Sequence, residues 1–220
     1  MSRVEVTDAG VWAALRDRAR ALVRAGRPAV LGVVGPPGAG KSTLAARLVA
    51  DLAGDAVLVP MDGFHLADAV LDVLGLRDRK GAPETFDAWG YVRLLERIQS
   101  GPEPVVYAPD FDRSLEAAVA GVLPVPRDVP LVVTEGNYLL LDAEPWGRIR
   151  GLLDEAWYAD VGEELRLARL VARHEAFGKS PDAALAWSLG PDQRNADVVR
   201  ATSGRADLRV MLDGWRLPRP

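Results

Sequence analysis

Short apolar runs without charge alternate with amphipathic stretches along this chain. Residues 29–34, 56–61 and 131–134 are continuous apolar runs and predict buried strands. Residues 155–161 predict a fourth strand, and residues 206–212 a last one of edge type. Between them the period lengthens. Val11, Trp12, Leu15, Leu22 and Val23 fall on one helical face, with Thr7 or Asp8 as cap and Gly26 and Pro28 as the stop. Residues 43–50 predict a second helix. Asp87 caps a third, which carries Tyr91, Leu94, Leu95 and Ile98. Residues 163–174 and 192–203 predict two more. Residues 77–86 are polar, and residues 101–130 are proline-rich and read as irregular apart from a short helix at 115–120. Strands alternating with helices imply an α/β fold, a parallel sheet with helices on both faces, whose ligands bind at the carboxyl ends of the strands.

At the first of those ends stands Gly35-Pro36-Pro37-Gly38-Ala39-Gly40-Lys41-Ser42, the pattern G-x-x-x-x-G-K-S between a strand and a helix. Its glycines let backbone N–H groups turn inward on phosphate oxygens, and the helix that follows aims its positive end at the same anion. The loop and Thr43 after it form a nucleotide site. Lys41 would reach the outer phosphates and Ser42 would hold Mg²⁺ through its hydroxyl.

Composition narrows the alternatives. At 220 residues the chain suits one domain with a sizeable core. With no cysteine, it has neither a disulfide framework nor a thiolate metal site. A net charge of −4 argues against a broad nucleic-acid surface. No apolar stretch is long enough to cross a bilayer, and the polar start does not read as a signal peptide, so the expected compartment is the cytoplasm. Basic residues are nearly all arginine; the lysines are Lys41, Lys80 and Lys179.

Asp62, in Asp62-Gly63-Phe64-His65 at the end of the second strand, is the candidate general base for an acceptor hydroxyl. A turn-forming aspartate, or a ligand of magnesium-bound water, are its other readings. Glu135 ends the third strand, where the acidic residue of a second nucleotide motif would sit near the metal; the alternative is a buried carboxylate paired with backbone. Arg166, Arg169 and Arg173 share one helix face and could close over the nucleotide, Arg173 or Arg169 ahead of Arg166, with Phe177-Gly178-Lys179-Ser180 as hinge. Their other reading is a solvated face paired with Glu163, Glu164 and Glu175. His65, Lys80, Phe86, Tyr107, Asp110, Asp112 and Arg113 fall between the second and third strands and could orient a hydroxylated small molecule. His174 reads as a helix-surface residue. Asn195 would either meet an adenine edge or be an ordinary helix residue.

The phosphate loop, then Pro60-Met61-Asp62-Gly63-Phe64-His65-Leu66, then Arg79-Lys80-Gly81-Ala82-Pro83-Glu84-Thr85-Phe86-Asp87, then Glu135-Gly136-Asn137-Tyr138-Leu139-Leu140, together resemble the phosphoribulokinase, uridine kinase and bacterial pantothenate kinase superfamily. Within it, the pattern is similar to bacterial nucleoside/nucleotide kinase family proteins, some called fructokinase-like. The resemblance covers nearly all of the chain after the first helix. It implies a P-loop NTPase fold in a single domain over 1–220, a substrate-binding insertion at about 63–130 and a lid at about 163–190. It also implies ATP and Mg²⁺ as cofactors, Asp62 as base, and a homodimer as a common state. Uridine kinases usually have Asp-Ser-Phe-Tyr where this chain has Asp62-Gly63-Phe64-His65, so the acceptor does not carry over. The expected activity is ATP-dependent phosphorylation of an alcohol on a nucleoside or sugar, with pantothenate next. A regulatory NTPase is the rival, but the guanine-reading Asn/Thr-Lys-x-Asp is absent.

Overall fold

The computed structural model describes residues 1–215. Its strands are β1 (Ser2–Glu5), β2 (Ala29–Val34), β3 (Ala56–Pro60), β4 (Val105–Asp112), β5 (Ala117–Pro126), β6 (Leu131–Gly136), β7 (Glu155–Asp160) and β8 (Leu208–Met211). Its α-helices are α1 (Ala9–Arg20), α2 (Lys41–Asp51), α3 (Asp68–Leu74), α4 (Ala88–Ser100), α5 (Glu163–Ala176), α6 (Pro181–Leu189) and α7 (Pro191–Arg200). Six strands form one parallel sheet in the order β1-β8-β7-β2-β6-β3, while β4 and β5 pair separately as an antiparallel hairpin.

The central strands are apolar throughout because both of their faces are covered. On one face Val30, Val34 and Val132 pack with Tyr91 and Leu95 of α4. On the other, Leu31, Val33, Leu131 and Val133 pack with Trp12 and Leu15 of α1 and with Leu44 and Leu48 of α2. Asp8 caps α1, its Oδ1 accepting from the N–H groups of Gly10 and Val11 at 2.8 and 3.0 Å. Asp87 caps α4 through Gly90 N–H at 2.8 Å. Among the described residues no helix is long and apolar enough to cross a membrane.

Four expectations are corrected. Residues 101–130 are not irregular, and 115–120 is not a helix. Val106, Ala108 and Val125 alternate inward along the β4–β5 ribbon, and a register shift between Ala108 and Asp110 takes up Pro109. Asp112 Oδ1 accepts from Ser114 and Leu115 N–H, which builds the turn where a helix was expected. The last strand is not at the edge: β1 covers β8 in parallel register, Val4 opposite Val210. The first helix ends at Arg20, so Leu22 and Val23 lie beyond it and Val23 is exposed. Two helices went unread, α3 and α6. In α6, Leu185 and Leu189 are exposed while Ala184 and Ser188 are buried, so its large apolar positions do not mark the packed face.

Strand order explains the site. β2 lies between β6 and β7, and β3 lies beside β6. Glu135 on β6 is in register with Val33 on one side and Pro60 on the other. The residues after β2, β3 and β6 therefore emerge together at one end of the sheet.

Candidate active site

The loop from Gly35 to Ser42 joins β2 to α2 and is packed from below. A Cβ on Gly35 would lie 2.5 Å from the Ala159 carbonyl of β7. Gly38 (φ +81°) and Gly40 (φ +93°) adopt the left-handed backbone that glycine alone takes cheaply. No side chain caps α2 at Gly40, so its first N–H groups and its positive end are left for an anion. Lys41 opens that helix, is buried, and donates to the Pro36 carbonyl at 3.3 Å. Burial pushes the ammonium pKa down; Glu135 and Asp62 pull it back up.

Ser42 Oγ donates to Glu135 Oε1 at 2.8 Å. Glu135 is 5 % exposed. Burial raises its pKa, and Lys41 and the Ser42 hydroxyl act against that rise. Two hard oxygen donors, one of them a buried carboxylate, fit Mg²⁺, which takes one or two protein oxygens and completes its shell with phosphate and water. Among the described residues there is no cluster of three or more acidic or imidazole ligands, so a self-sufficient protein metal cage is not what this site offers.

Asp62 lies on a 3₁₀ turn (Met61–Phe64) directly after β3. The turn is pressed against the hairpin: a Cβ on Gly63 would lie 2.5 Å from the Pro109 carbonyl. That contact accounts for the Asp-Gly pair and holds the Asp62 carboxylate at the cavity, where Arg113 Nη2 approaches its Oδ2 at 3.5 Å. His65 Nδ1 sits 2.9 Å from the Asp62 carbonyl, which can only accept, so the ring donates there. Burial lowers the imidazole pKa and favours the neutral ring. The ring packs 4.0 Å from Phe86 and 5.0 Å from Phe111, between centroids.

These groups line one cavity of about 610 Å³. Lys41, Ser42, Asp62, Glu135 and Arg173 share it with His65, Lys80, Phe86, Arg113 and Asn195. Lys80 is held by Asp68 Oδ1 at 2.8 Å. Asn195 donates to the Gly81 carbonyl at 3.2 Å, which places it on the wall formed by the Arg79-Lys80-Gly81 segment. Arg169 lies beside the loop, its Nη1 3.4 Å from where a Gly40 Cβ would be. Thr43 sits exposed on α2, one residue past Ser42.

Other expected residues lie elsewhere or take other roles. Tyr107 is 61 % exposed on the hairpin and does not line the cavity. Asp110 and Asp112 bond backbone N–H groups of their own segment. Arg166 is neither a lid residue over the nucleotide nor part of a solvated face. It is fully buried beneath the loop, donating to the Pro37 carbonyl at 3.2 Å and pairing with Glu163 and the Gln193 side-chain oxygen. His174 is not merely a surface residue, for its Nε2 meets Asp192 Oδ2 at 2.7 Å on the cavity wall. The sequence did not mark Phe111, Asp68, Trp187 or Asp192, which also line the cavity. Phe111 and Asp68 had only a positional signal, since both lie between the second and third expected strands.

A glycine-rich loop at a helix N-terminus, a buried lysine, a hydrogen-bonded serine–glutamate pair and an aspartate just past β3 are the arrangement of a P-loop kinase. The family model for the phosphoribulokinase/uridine kinase family matches residues 30–208, and the chain belongs to that family. It is 36% identical over 166 residues to the ATP-dependent kinase-like protein notR' of Aspergillus versicolor, spanning 71% of this chain and 95% of that one. It is 35% identical over 192 residues to the protein YggC of Escherichia coli K12, spanning 84% and 78%. Among solved structures, a candidate fructose transport system kinase from Silicibacter sp. TM1040 superposes with a TM-score of 0.82 at 38% identity, covering 90% of this chain and 97% of that one.

Proposed function

We propose that the protein transfers the γ-phosphate of ATP to a hydroxyl of a small polar metabolite, a sugar or a nucleoside. The observation that carries this reading is the placement of Asp62 on the same cavity as Lys41, Ser42 and Glu135, on neighbouring strand ends. Asp62 takes the proton of the acceptor hydroxyl and orients the oxygen. Loop N–H groups hold the β- and γ-phosphates, and Lys41 and Arg173 stabilise charge on the moving phosphoryl group. Ser42 and Glu135 would hold Mg²⁺, which neutralises phosphate charge when bound. Phosphoryl transfer asks little covalent chemistry of the protein, so positioning and electrostatics carry the rate. The fructose in the name of the Silicibacter relative supports a sugar within this class.

The test is ADP formation with Mg²⁺ and ATP, with and without a panel of hexoses, nucleosides and pantothenate. A kinase turns over only with its acceptor. A nucleotide-driven switch hydrolyses ATP at a rate indifferent to the panel, and that result would remove the reading.

A further inference from the structure

We propose that the acceptor carries an anionic group, a carboxylate or a phosphomonoester, beside the hydroxyl that is phosphorylated, and that Arg113 and Lys179 receive it. The inference rests on the kinase reading above and adds the chemical class of the substrate.

The pairing of charges around the cavity leaves two of its cations for an incoming anion. Six cationic side chains line it. Arg77 and Lys80 are both satisfied by Asp68, at 2.7 and 2.8 Å, and Lys80 also has Glu116 within 3.7 Å. Lys41 and Arg173 belong to the phosphate end. Asp192 is taken by His174. That leaves Arg113 and Lys179. Among the described residues the one carboxylate in ion-pair range of Arg113 is Asp62, at 3.5 Å. Asp62 must be open to a hydroxyl when the reaction runs, so this pair is not the working partner of Arg113. Lys179 has no carboxylate partner among the described residues; its ammonium lies 4.8 Å from the centre of the Trp187 ring, on the cavity wall.

Two aromatic rings flank the guanidinium without taking its donors. The Arg113 Cζ lies 6.0 Å from the centroid of Phe111 on β4 and 5.8 Å from that of Phe177 at the end of α5. Ring contacts of this kind use no N–H group, so apart from the one that approaches Asp62 the donors are available to an oxyanion, which a guanidinium can grip with two parallel bonds. Phe177 also ties Arg113 to the α5–α6 connection that carries Lys179. An incoming anion would draw Arg113 away from Asp62, so that the base is released only when an acceptor is seated.

The test uses the full chain with Mg²⁺ and a non-hydrolysable ATP analogue. Matched sets are titrated by calorimetry on three-carbon, pentose, hexose and nucleoside scaffolds: each neutral alcohol, its monophosphate and its carboxylic acid. On at least one scaffold an anionic member should bind about tenfold or more tightly than its neutral parent, the scale of a charge-assisted bond. Which anion gains identifies carboxylate or phosphate. Arg113→Gln and Lys179→Gln should each remove most of that gain, and Arg113→Lys should recover part of it. If no anionic member outbinds its parent on any scaffold, or the gain survives both glutamine variants, the proposal is overturned. The kinase reading is scored separately by acceptor-dependent ADP release. Transfer to neutral alcohols alone keeps that reading and sinks the anion. Anion binding with ADP release indifferent to every acceptor does the reverse.

Discussion

Ser42 Oγ donates to Glu135 Oε1 across 2.8 Å, joining the first turn of α2 to the end of β6. The pair places a hydroxyl and a carboxylate where the loop would present a triphosphate. Glu135→Gln keeps the hydrogen-bonding shape and removes the charge. Its expected effect is loss of the Mg²⁺-dependent part of ATP binding and a fall in kcat, with metal-free ATP binding retained. Calorimetric titration of ATP with and without Mg²⁺ checks this. Unchanged Mg²⁺ dependence would take Glu135 out of the metal site.

Arg166 and Arg173 share a face of α5 yet differ in burial, and their variants should separate. Arg166→Met leaves the Pro37 carbonyl and the Gln193 side chain without a donor, a loss of about 1–3 kcal/mol for buried polar groups. Urea unfolding should show it. Arg173→Ala removes an exposed side chain at the cavity and should change stability by no more than about 0.5 kcal/mol. Its cost should fall on kcat, by about a thousandfold if it acts on the transferring phosphoryl group.

Gly38→Ala should abolish nucleotide binding while the sheet still folds. The new Cβ would meet the Arg166 carbonyl and Leu170 Cγ, each at 2.8 Å, at a backbone φ of +81°. The loop must move to admit it, and strain of this kind costs about 1–3 kcal/mol. ATP titration and far-UV circular dichroism on the same sample check both halves.

His65 gives a pH signature. Burial depresses its folded pKa, so the unfolded chain binds the proton more readily. The stability due to the neutral ring is fully present above the unfolded value of about 6.5 and is lost as pH falls through the folded value. His65→Phe keeps an aromatic ring between Phe86 and Phe111 and removes the titration. The difference in unfolding free energy between the two proteins should therefore shift in favour of the variant as pH drops below about 6.5. A pH-independent difference would contradict the burial argument.

The parallel sheet and the nucleotide loop were legible because their signals are local. A charge-free run followed by G-x-x-x-x-G-K-S fixes strand, turn and helix within a few residues. Asp62 and Glu135 were legible because each directly follows or ends such a run. The hairpin was not, since Pro109, Pro124 and Pro126 hide its alternation, and a bulge accommodates the first of them. Nor was the role of Arg166, because a spacing of three and four gives a shared face but not which member meets the loop. His174 and Asp192 come from different helices, and no spacing announces their contact. Tyr107 fell in the right segment, but its strand position turns it outward.

The most direct measurement follows the γ-phosphate itself. Protein saturated with Mg²⁺ and γ-labelled ATP is mixed in a single turnover with the acceptor that the panel identifies, for the wild type and for Asp62→Asn. Label is expected in a phosphate ester of the acceptor, with a transfer rate about 10²- to 10⁴-fold lower in the variant and ATP binding intact. Label appearing only as inorganic phosphate, at the same rate with and without acceptor and in both proteins, would contradict it.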